Sequence, residues 1–272
     1  MATTPEPAAY ALQISEQEIG RYRLMAARAV ENESDMWQRA GVAAGARIVD
    51  VGCGPGAMLV ELARRAGPTG EVVGVEPDAP SRAAAERAIA AEGMGAWARV
   101  VEGRGDDTGL APGHWDVAMI RHVLFHVGPQ APAVVAHAAS LLRPGGHLYL
   151  VDTYGDAMAI APAETELMQQ SRRYAEFQRS RGNDPNIGLR LHALLLEARL
   201  ELTDHRGMFN IVPAVHAAHG GPLGAAQATM LAAGAITDEE AHRWEEARRR
   251  VAADPVARIF APTLIAVGRR PG

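Results

Sequence analysis

The run Val49-Asp50-Val51-Gly52-Cys53-Gly54-Pro55-Gly56 sets an acid two residues ahead of three closely spaced glycines. Glycines in such a turn let the backbone approach a ligand and take conformations closed to other residues. The spacing is Gly-x-Gly-x-Gly, whereas a dinucleotide fingerprint needs its third glycine three residues after the second. Pro55 also removes one N–H from any anion cradle at the helix start. An acid beside glycines suits a cationic, phosphate-free ligand with an amino group better than a pyrophosphate. A nicotinamide oxidoreductase is disfavoured on these grounds.

More acids recur at intervals of about one strand–helix–strand unit. Gly74-Val75-Glu76-Pro77-Asp78 carries Glu76, which at a strand end can accept two hydrogen bonds from ribose hydroxyls. Glu102-Gly103-Arg104-Gly105-Asp106-Asp107 offers a carboxylate that could accept from an adenine amino group. Asp50 as a cap for its own turn and Glu76 as an exposed strand-end acid are the plain structural alternatives. Cys53 reads as a small residue packing inside the glycine turn rather than as a nucleophile. His122 and His126 have the i, i+4 spacing that can bind metal on a helix. No Glu follows His122 as in the zinc-helix motif and no third ligand is evident, so no metal site is expected. His137, His192, His205, His216, His219 and His242 read as surface or packing residues.

These residues need elements that hold them. Short β-branched runs fall at 47–51, 71–75, 98–101, 115–120 and 147–151, separated by Ala/Leu-rich stretches at 57–65, 80–91 and 131–142. This alternation specifies an α/β, doubly wound, mostly parallel sheet covered on both faces. Residues 1–13 read as a flexible tail. Ser15 to Glu18 forms a capping-box pattern ahead of a helix, and Ser34 is expected to cap a second one carrying Met36 and Trp37. Residues 14–44 thus read as N-terminal helices. A domain over 45–272 follows, with helical insertions at about 157–198 and 213–253. Strands are expected at 199–204 and 258–267, and Thr237 opens another capping box.

Composition narrows the classes. All 27 basic residues among the 272 are arginine, and the net charge is −5. A chain without lysine has no P-loop lysine, no Schiff-base lysine and no pyridoxal-phosphate chemistry. The acidic balance argues against a large nucleic-acid surface. The lone cysteine excludes a disulfide framework. No membrane span and no secretory signal is read, so the cytoplasm is the expected location.

The sequence resembles the class I S-adenosylmethionine-dependent methyltransferases, closely over 47–152 and loosely elsewhere. The matching elements are D-V-G-C-G-P-G, the strand end at Glu76, Gly105-Asp106, W-D-V-A-M-I from Trp115, and L-L-R-P-G-G from Leu141. The resemblance implies a seven-strand sheet whose last strand, 258–267, runs antiparallel. It implies S-adenosyl-L-methionine as cofactor, with Asp50, Gly52, Cys53 and Gly54 facing its methionine part and Glu76 its ribose. Asp106 faces the adenine, or Asp107 shares that role, and Arg121 lies near the methionine end. The family often has a small or acidic residue in place of Arg121, which therefore pairs with a substrate acid or a nearby Asp or Glu. An aromatic on the N-terminal helix covers the cofactor in relatives, which points to Tyr22 on a lid.

Small-molecule methyltransferases similar to the ubiquinone, menaquinone and indolocarbazole-sugar enzymes often carry Leu-His-His after the fourth strand. Here Leu124-Phe125-His126 stands there, with the first His replaced. By that resemblance His126 borders the active site as a base and Asp152 orients it. A His that only caps the loop is the alternative. With such an Asp beside it, the imidazole midpoint would rise above its reference of about 6.5. Tyr174, Phe177 and Met208-Phe209-Asn210 are expected to shape the acceptor pocket.

The expected function is methyl transfer to a small-molecule acceptor in secondary or quinone-like metabolism, with oxygen the favoured atom. Nitrogen or carbon acceptors stay open, as do cyclisation or hydroxylation with the cofactor as bystander and a non-catalytic binding module. The Asn/Asp-Pro-Pro-aromatic tetrapeptide of nucleic-acid amino-methyltransferases is absent, and Ile120-Arg121-His122-Val123 stands in its place. No nucleic-acid and no membrane partner is expected. The oligomeric state, a homo-oligomer included, is left open.

Overall fold

A computed structural model describes residues 15–217 and 221–272. The tail expected over 1–13 and His219 lie outside the described residues.

Helix α1 (Glu16–Arg39) starts where Ser15 accepts the N–H of Glu18, and Glu16 and Glu18 complement the helix dipole in its first turn. The helix runs unbroken for 24 residues, so the break expected at Ser34 is corrected. The Ser34 hydroxyl donates back to the Val30 carbonyl and accepts from Arg65, so it is spent within the helix and caps no new one. Burial of Met36 and Trp37 carries the helix past that point.

Next come β1 (Arg47–Val51), α2 (Ala57–Ala66), β2 (Glu71–Val75), α3 (Ala79–Ala91), β3 (Ala98–Val101) and β4 (Trp115–Arg121). One-turn α4 (Leu124–Val127), α5 (Ala131–Leu141) and β5 (Leu142–Thr153) follow. Then come β6 (Ala159–Ala161), α6 (Thr165–Ser180), α7 (Leu191–Glu197) and β7 (Glu201–Pro213). The chain closes with α8 (Gly221–Ala225), α9 (Gln227–Ala232), α10 (Asp238–Ala253) and β8 (Arg258–Arg269).

The sheet order is β3-β2-β1-β4-β5-β8, with β7 on the outer side of β8 and short β6 pairing with the start of β8. Strands β1 to β5 are parallel, and β8 runs antiparallel to β5, from Thr153 opposite Thr263 to His147 opposite Arg269. The expected plan with its antiparallel last strand is present, and β6 makes the sheet eight-stranded. Strand β7 is longer than its sequence pattern suggests because it pairs with β8 along its whole length, as far as Pro213 opposite Arg258.

The strands are apolar on both faces, as buried parallel strands must be. Val49 and Val51 enter the core of one face with Leu124, Val135 and Leu150. Ile48 and Val72 enter the other with Trp37, Leu59 and Tyr149. Each such fully buried aliphatic side chain contributes about 1.5–3 kcal/mol. Helix α7 joins the first core through Leu191, Leu194 and Leu195. Helices α6, α9 and α10 form a separate cluster around Phe177, Met230 and Trp244. Asp50, Glu76, Arg121 and Asp152 all fall at or next to the carboxyl ends of their strands, where open α/β sheets bind ligands. No helix among the described residues is long and apolar enough to cross a membrane.

Candidate active site

The glycine turn links β1 to α2. Gly52 sits at φ 74°, and a Cβ there would lie 2.5 Å from a methyl of Val123. Gly56 sits at φ 82°, and a Cβ there would lie 2.7 Å from that of Ala85. Neither place admits a side chain without displacement. The N–H groups of Gly52 and Cys53 both donate to the Val75 carbonyl, at 2.8 and 3.2 Å, which ties the turn to β2.

Glu76 reaches across to the same turn. Its Oε2 accepts the Gly54 N–H at 3.0 Å and its Oε1 accepts the Asp78 N–H at 2.9 Å. Burial pushes its carboxyl up, and the two N–H donors pull it back down. Glu76 is therefore not a loose strand-end acid. It shapes the turn while keeping lone pairs for further donors.

Asp50 is buried at 2% exposure, and its Oδ2 has no hydrogen-bond partner among the described residues. Burial pushes its carboxyl up to about 7; Arg121 opposes that and Glu76 adds to it. A buried carboxylate oxygen without a donor is costly unless a cation or donor joins it. That orphan oxygen, two residues ahead of Gly52, fits an ammonium-bearing ligand.

Cys53 packs against β2, since a Cβ on Gly74 would come within 2.6 Å of its sulfur. Burial pushes its thiol up, which makes it a poor nucleophile.

Beyond β3, Asp106 pairs with Arg104 at 3.0 Å, which holds its carboxyl below its ordinary value. Asp107 is committed to the turn: its backbone exchanges two hydrogen bonds with Arg104, and its Oδ1 accepts from Gly109 at 3.3 Å. His137 of α5 was read as a surface or packing residue. Its Nε2 takes the Thr108 N–H at 3.1 Å and lies 2.8 Å from the Thr108 hydroxyl, so it braces this acidic loop. No motif marks it, because the contact spans 29 positions.

Arg121 ends β4 beside Asp50. Its guanidinium is bound two-pronged by Glu33 of α1, at 2.6 and 3.1 Å. Glu33 also accepts from Tyr149 Oη at 3.0 Å and Trp37 Nε1 at 3.3 Å. The acid that pairs Arg121 is thus Glu33, which fixes α1 over the sheet. Further along α1, Tyr22 comes within 3.8 Å of a Cβ built on Gly54, so its ring lies against the turn.

His122 has φ 54°, unusual for a residue with a side chain. Burial lowers its imidazole to about 3, with Arg121, Arg21 and His126 adding to the effect. His126 is lowered to about 4 by burial and then by Arg21. Phe125 lies edge-on to His126 at 4.4 Å and stacks with Tyr174 of α6 at 6.1 Å.

Asp152, expected to orient His126, is engaged by the backbone at the start of α4. It is fully buried, and its oxygens accept the N–H groups of Phe125 at 3.1 Å, Thr153 at 2.9 Å and Leu124. Burial raises its carboxyl to about 7 against those bonds. One-turn α4 exposes orphan N–H groups at its start, and Asp152 satisfies them. The expected upward shift of His126 is reversed by burial and then by Arg21. Of the residues expected in the acceptor pocket, Tyr174 stacks with Phe125, the chain neighbour of His126. Phe177 is buried against the Trp244 cluster, Phe209 is 67% exposed, and Asn210 is spent on Thr263 at 2.8 Å.

A model of the methyltransferase domain family matches residues 48–146. Nocamycin O-methyltransferase of Saccharothrix syringae is 41% identical over 108 residues, 39% of this chain and 37% of that protein. Ubiquinone biosynthesis O-methyltransferase of Yersinia pestis (strain Pestoides F) is 30% identical over 171 residues, 56% of this chain and 68% of that one. The solved structure of geranyl diphosphate methyltransferase in complex with SAM has the same fold. Its TM-score is 0.56 at 17% identity, covering 98% of this chain and 93% of that one. The chain spans well under half the length of the nocamycin enzyme. It belongs to the class I S-adenosylmethionine-dependent methyltransferases.

Proposed function

We propose that the chain binds S-adenosyl-L-methionine on the glycine turn and transfers its methyl group to an oxygen of a small-molecule acceptor held beneath α1. The observation that carries this reading is the orphan Oδ2 of Asp50, two residues ahead of a turn in which Gly52 and Gly56 leave no room for a Cβ. The two named relatives are both O-methyltransferases, which supports oxygen as the acceptor atom.

When bound, the sulfonium cofactor supplies an already activated methyl group, so positioning and water exclusion supply much of the rate. Asp50 would accept from the cofactor's ammonium, with Gly52 to Gly54 giving close backbone approach. Glu76 would accept from the ribose hydroxyls and Asp106 from the adenine amino group. Tyr22 would close over the turn as part of a lid formed by α1, held in place through Glu33 and Arg121. His126, neutral at any pH well above 4, would take a proton from a hydroxyl acceptor. Asp152 would act only by holding the helix that carries His126.

The test is calorimetry of S-adenosyl-L-methionine binding, followed by mass spectrometry with methyl-labelled cofactor and a panel of phenols, carboxylic acids, amines and quinones. Label on oxygen supports the reading. Label on nitrogen or carbon would move the acceptor atom, and no cofactor binding would remove the reading altogether.

A further inference from the structure

We propose that Arg82 is a positioning residue for the cofactor, holding the stretch of backbone that aims Glu76 at the ribose. This rests on the methyl-transfer reading above and adds a residue to the same site.

Arg82 is the fourth residue of α3, and its N–H donates to the Asp78 carbonyl at 2.9 Å. That end of a helix carries the positive end of the dipole and disfavours a cation, so the helix itself does not call for an arginine. The reason lies at the end of β2. Arg82 Nη1 donates to the Glu76 carbonyl at 3.0 Å and to the Pro77 carbonyl at 2.6 Å. Its Nη2 donates to Glu102, one residue past β3, at 2.8 Å. One guanidinium thus joins the ends of β2 and β3 to the start of α3.

The clamped carbonyls belong to Glu76 and the residue after it. The Glu76 N–H donates to the Val101 carbonyl at 3.1 Å, so the backbone of Glu76 is held at both its donor and its acceptor. Its carboxylate is held as well, by the N–H groups of Gly54 and Asp78. Asp78 in turn caps α3, where its Oδ2 accepts the Ser81 N–H at 2.9 Å. With backbone and side chain both fixed, the remaining lone pairs of Glu76 point in set directions, which is what recognition of a vicinal diol requires. Loss of Arg82 takes a donor from both carbonyls and leaves the stretch from Glu76 to Asp78 free to shift.

The ion pair with Glu102 is the lesser part of the clamp. The Glu102 side chain is 76% exposed, against 18% for Arg82, so water screens the pair. Lysine replaces this arginine only in part, because a single ammonium lacks the planar fork that serves the carbonyls and the carboxylate together.

The test measures, by calorimetry on the full chain, the binding of S-adenosylhomocysteine and of an analogue lacking both ribose hydroxyls. The wild-type protein should prefer the ligand that carries the hydroxyls. Arg82→Ala should bind S-adenosylhomocysteine about tenfold more weakly and the analogue as the wild type does, so the preference shrinks by that factor. Unchanged affinity for the analogue also shows that the variant is folded. Arg82→Lys should recover part of the preference, and it carries the same comparison with a smaller loss should Arg82→Ala not fold. Glu102→Gln should change neither affinity by more than about twofold. The proposal is overturned if Arg82→Ala loses affinity for both ligands equally, which would make Arg82 a general brace of the fold, or if it loses none. It is also overturned if Glu102→Gln reproduces the loss, which would place the effect in the ion pair. If the wild-type protein binds neither ligand, the methyl-transfer reading falls and takes this one with it. A wild-type protein that binds both ligands equally well keeps its cofactor but removes Glu76 from the ribose, and this proposal with it.

Discussion

Arg121 and Glu33, 88 positions apart, meet face to face, with Nη1 to Oε2 at 2.6 Å and Nη2 to Oε1 at 3.1 Å. Their side chains are 10% and 3% exposed, so the N-terminal helix is pinned to the sheet by a buried ion pair. Removing one partner of such a pair strands the other charge and typically costs about 3–5 kcal/mol. Arg121→Ala should therefore lower the denaturant midpoint markedly. It should also weaken cofactor binding, because α1 would no longer hold Tyr22 against Gly54 and Asp50 would lose its nearest cation. A double replacement of both residues by Met should recover much of the stability, since no charge is stranded. Denaturant melts of the two single variants and the double variant close this cycle. A loss in the double variant equal to the sum of the two single losses would mean that the pair does not couple.

Glu76→Ala should weaken S-adenosyl-L-methionine binding by about 10-fold to 100-fold. It removes an acceptor that organises Gly54 and that is proposed to meet the ribose, and charge-assisted bonds are worth about 1.5–3 kcal/mol each. Glu76→Gln keeps one acceptor oxygen and should lose less. Calorimetry on both variants checks this, with thermal melts showing that they fold. Unchanged affinity in a folded Glu76→Ala protein would remove Glu76 from the site.

The parallel sheet could be read from the sequence because its strands are nearly continuous β-branched runs, which also put Asp50 and Glu76 at strand ends and Asp106 in the loop past β3. The lost information was tertiary. A serine at position 34 looks like a cap in sequence, yet its hydroxyl folds back onto Val30 while Trp37 is drawn into the core. Asp152 resembles a partner for His126 by position alone. Only the three-dimensional path shows that the backbone N–H groups of α4 reach it first. Glu33 could not be matched with Arg121, nor His137 with Thr108, because charge and spacing do not choose among many candidates far apart in the chain.

His137→Ala should loosen the acidic loop that follows β3. Thr108 is 2% exposed, and the loss of His137 Nε2 leaves its N–H buried without that acceptor, a cost of about 1–3 kcal/mol. Part of that cost should appear as roughly tenfold weaker cofactor binding, with the acceptor KM unchanged. His137→Gln, which can still accept, should recover some of the loss. An effect confined to the acceptor KM would mean that the loop does not serve the cofactor.

His126 carries the sharpest pH test. Burial and Arg21 hold its imidazole near 4, below the ordinary value of 6.5. If it is the base, it is already neutral at pH 5, so the turnover it controls should be level from about pH 5 to 8 and fall only near 4. A base raised by a neighbouring Asp would instead give a rise through pH 6.5 to 7.5. Between 6.5 and 4 the unfolded chain binds this proton and the folded chain does not. Stability should therefore decline as pH falls through that window, and His126→Ala should lessen the decline. The same variant should cut turnover by about 100-fold with cofactor affinity nearly unchanged. Asp152→Asn should lower stability, because α4 loses a charged acceptor, without moving the midpoint of the pH–rate curve. A midpoint that follows Asp152, or a His126→Ala enzyme with wild-type turnover on a phenolic acceptor, would reverse the assignment and leave His126 as packing beside Phe125.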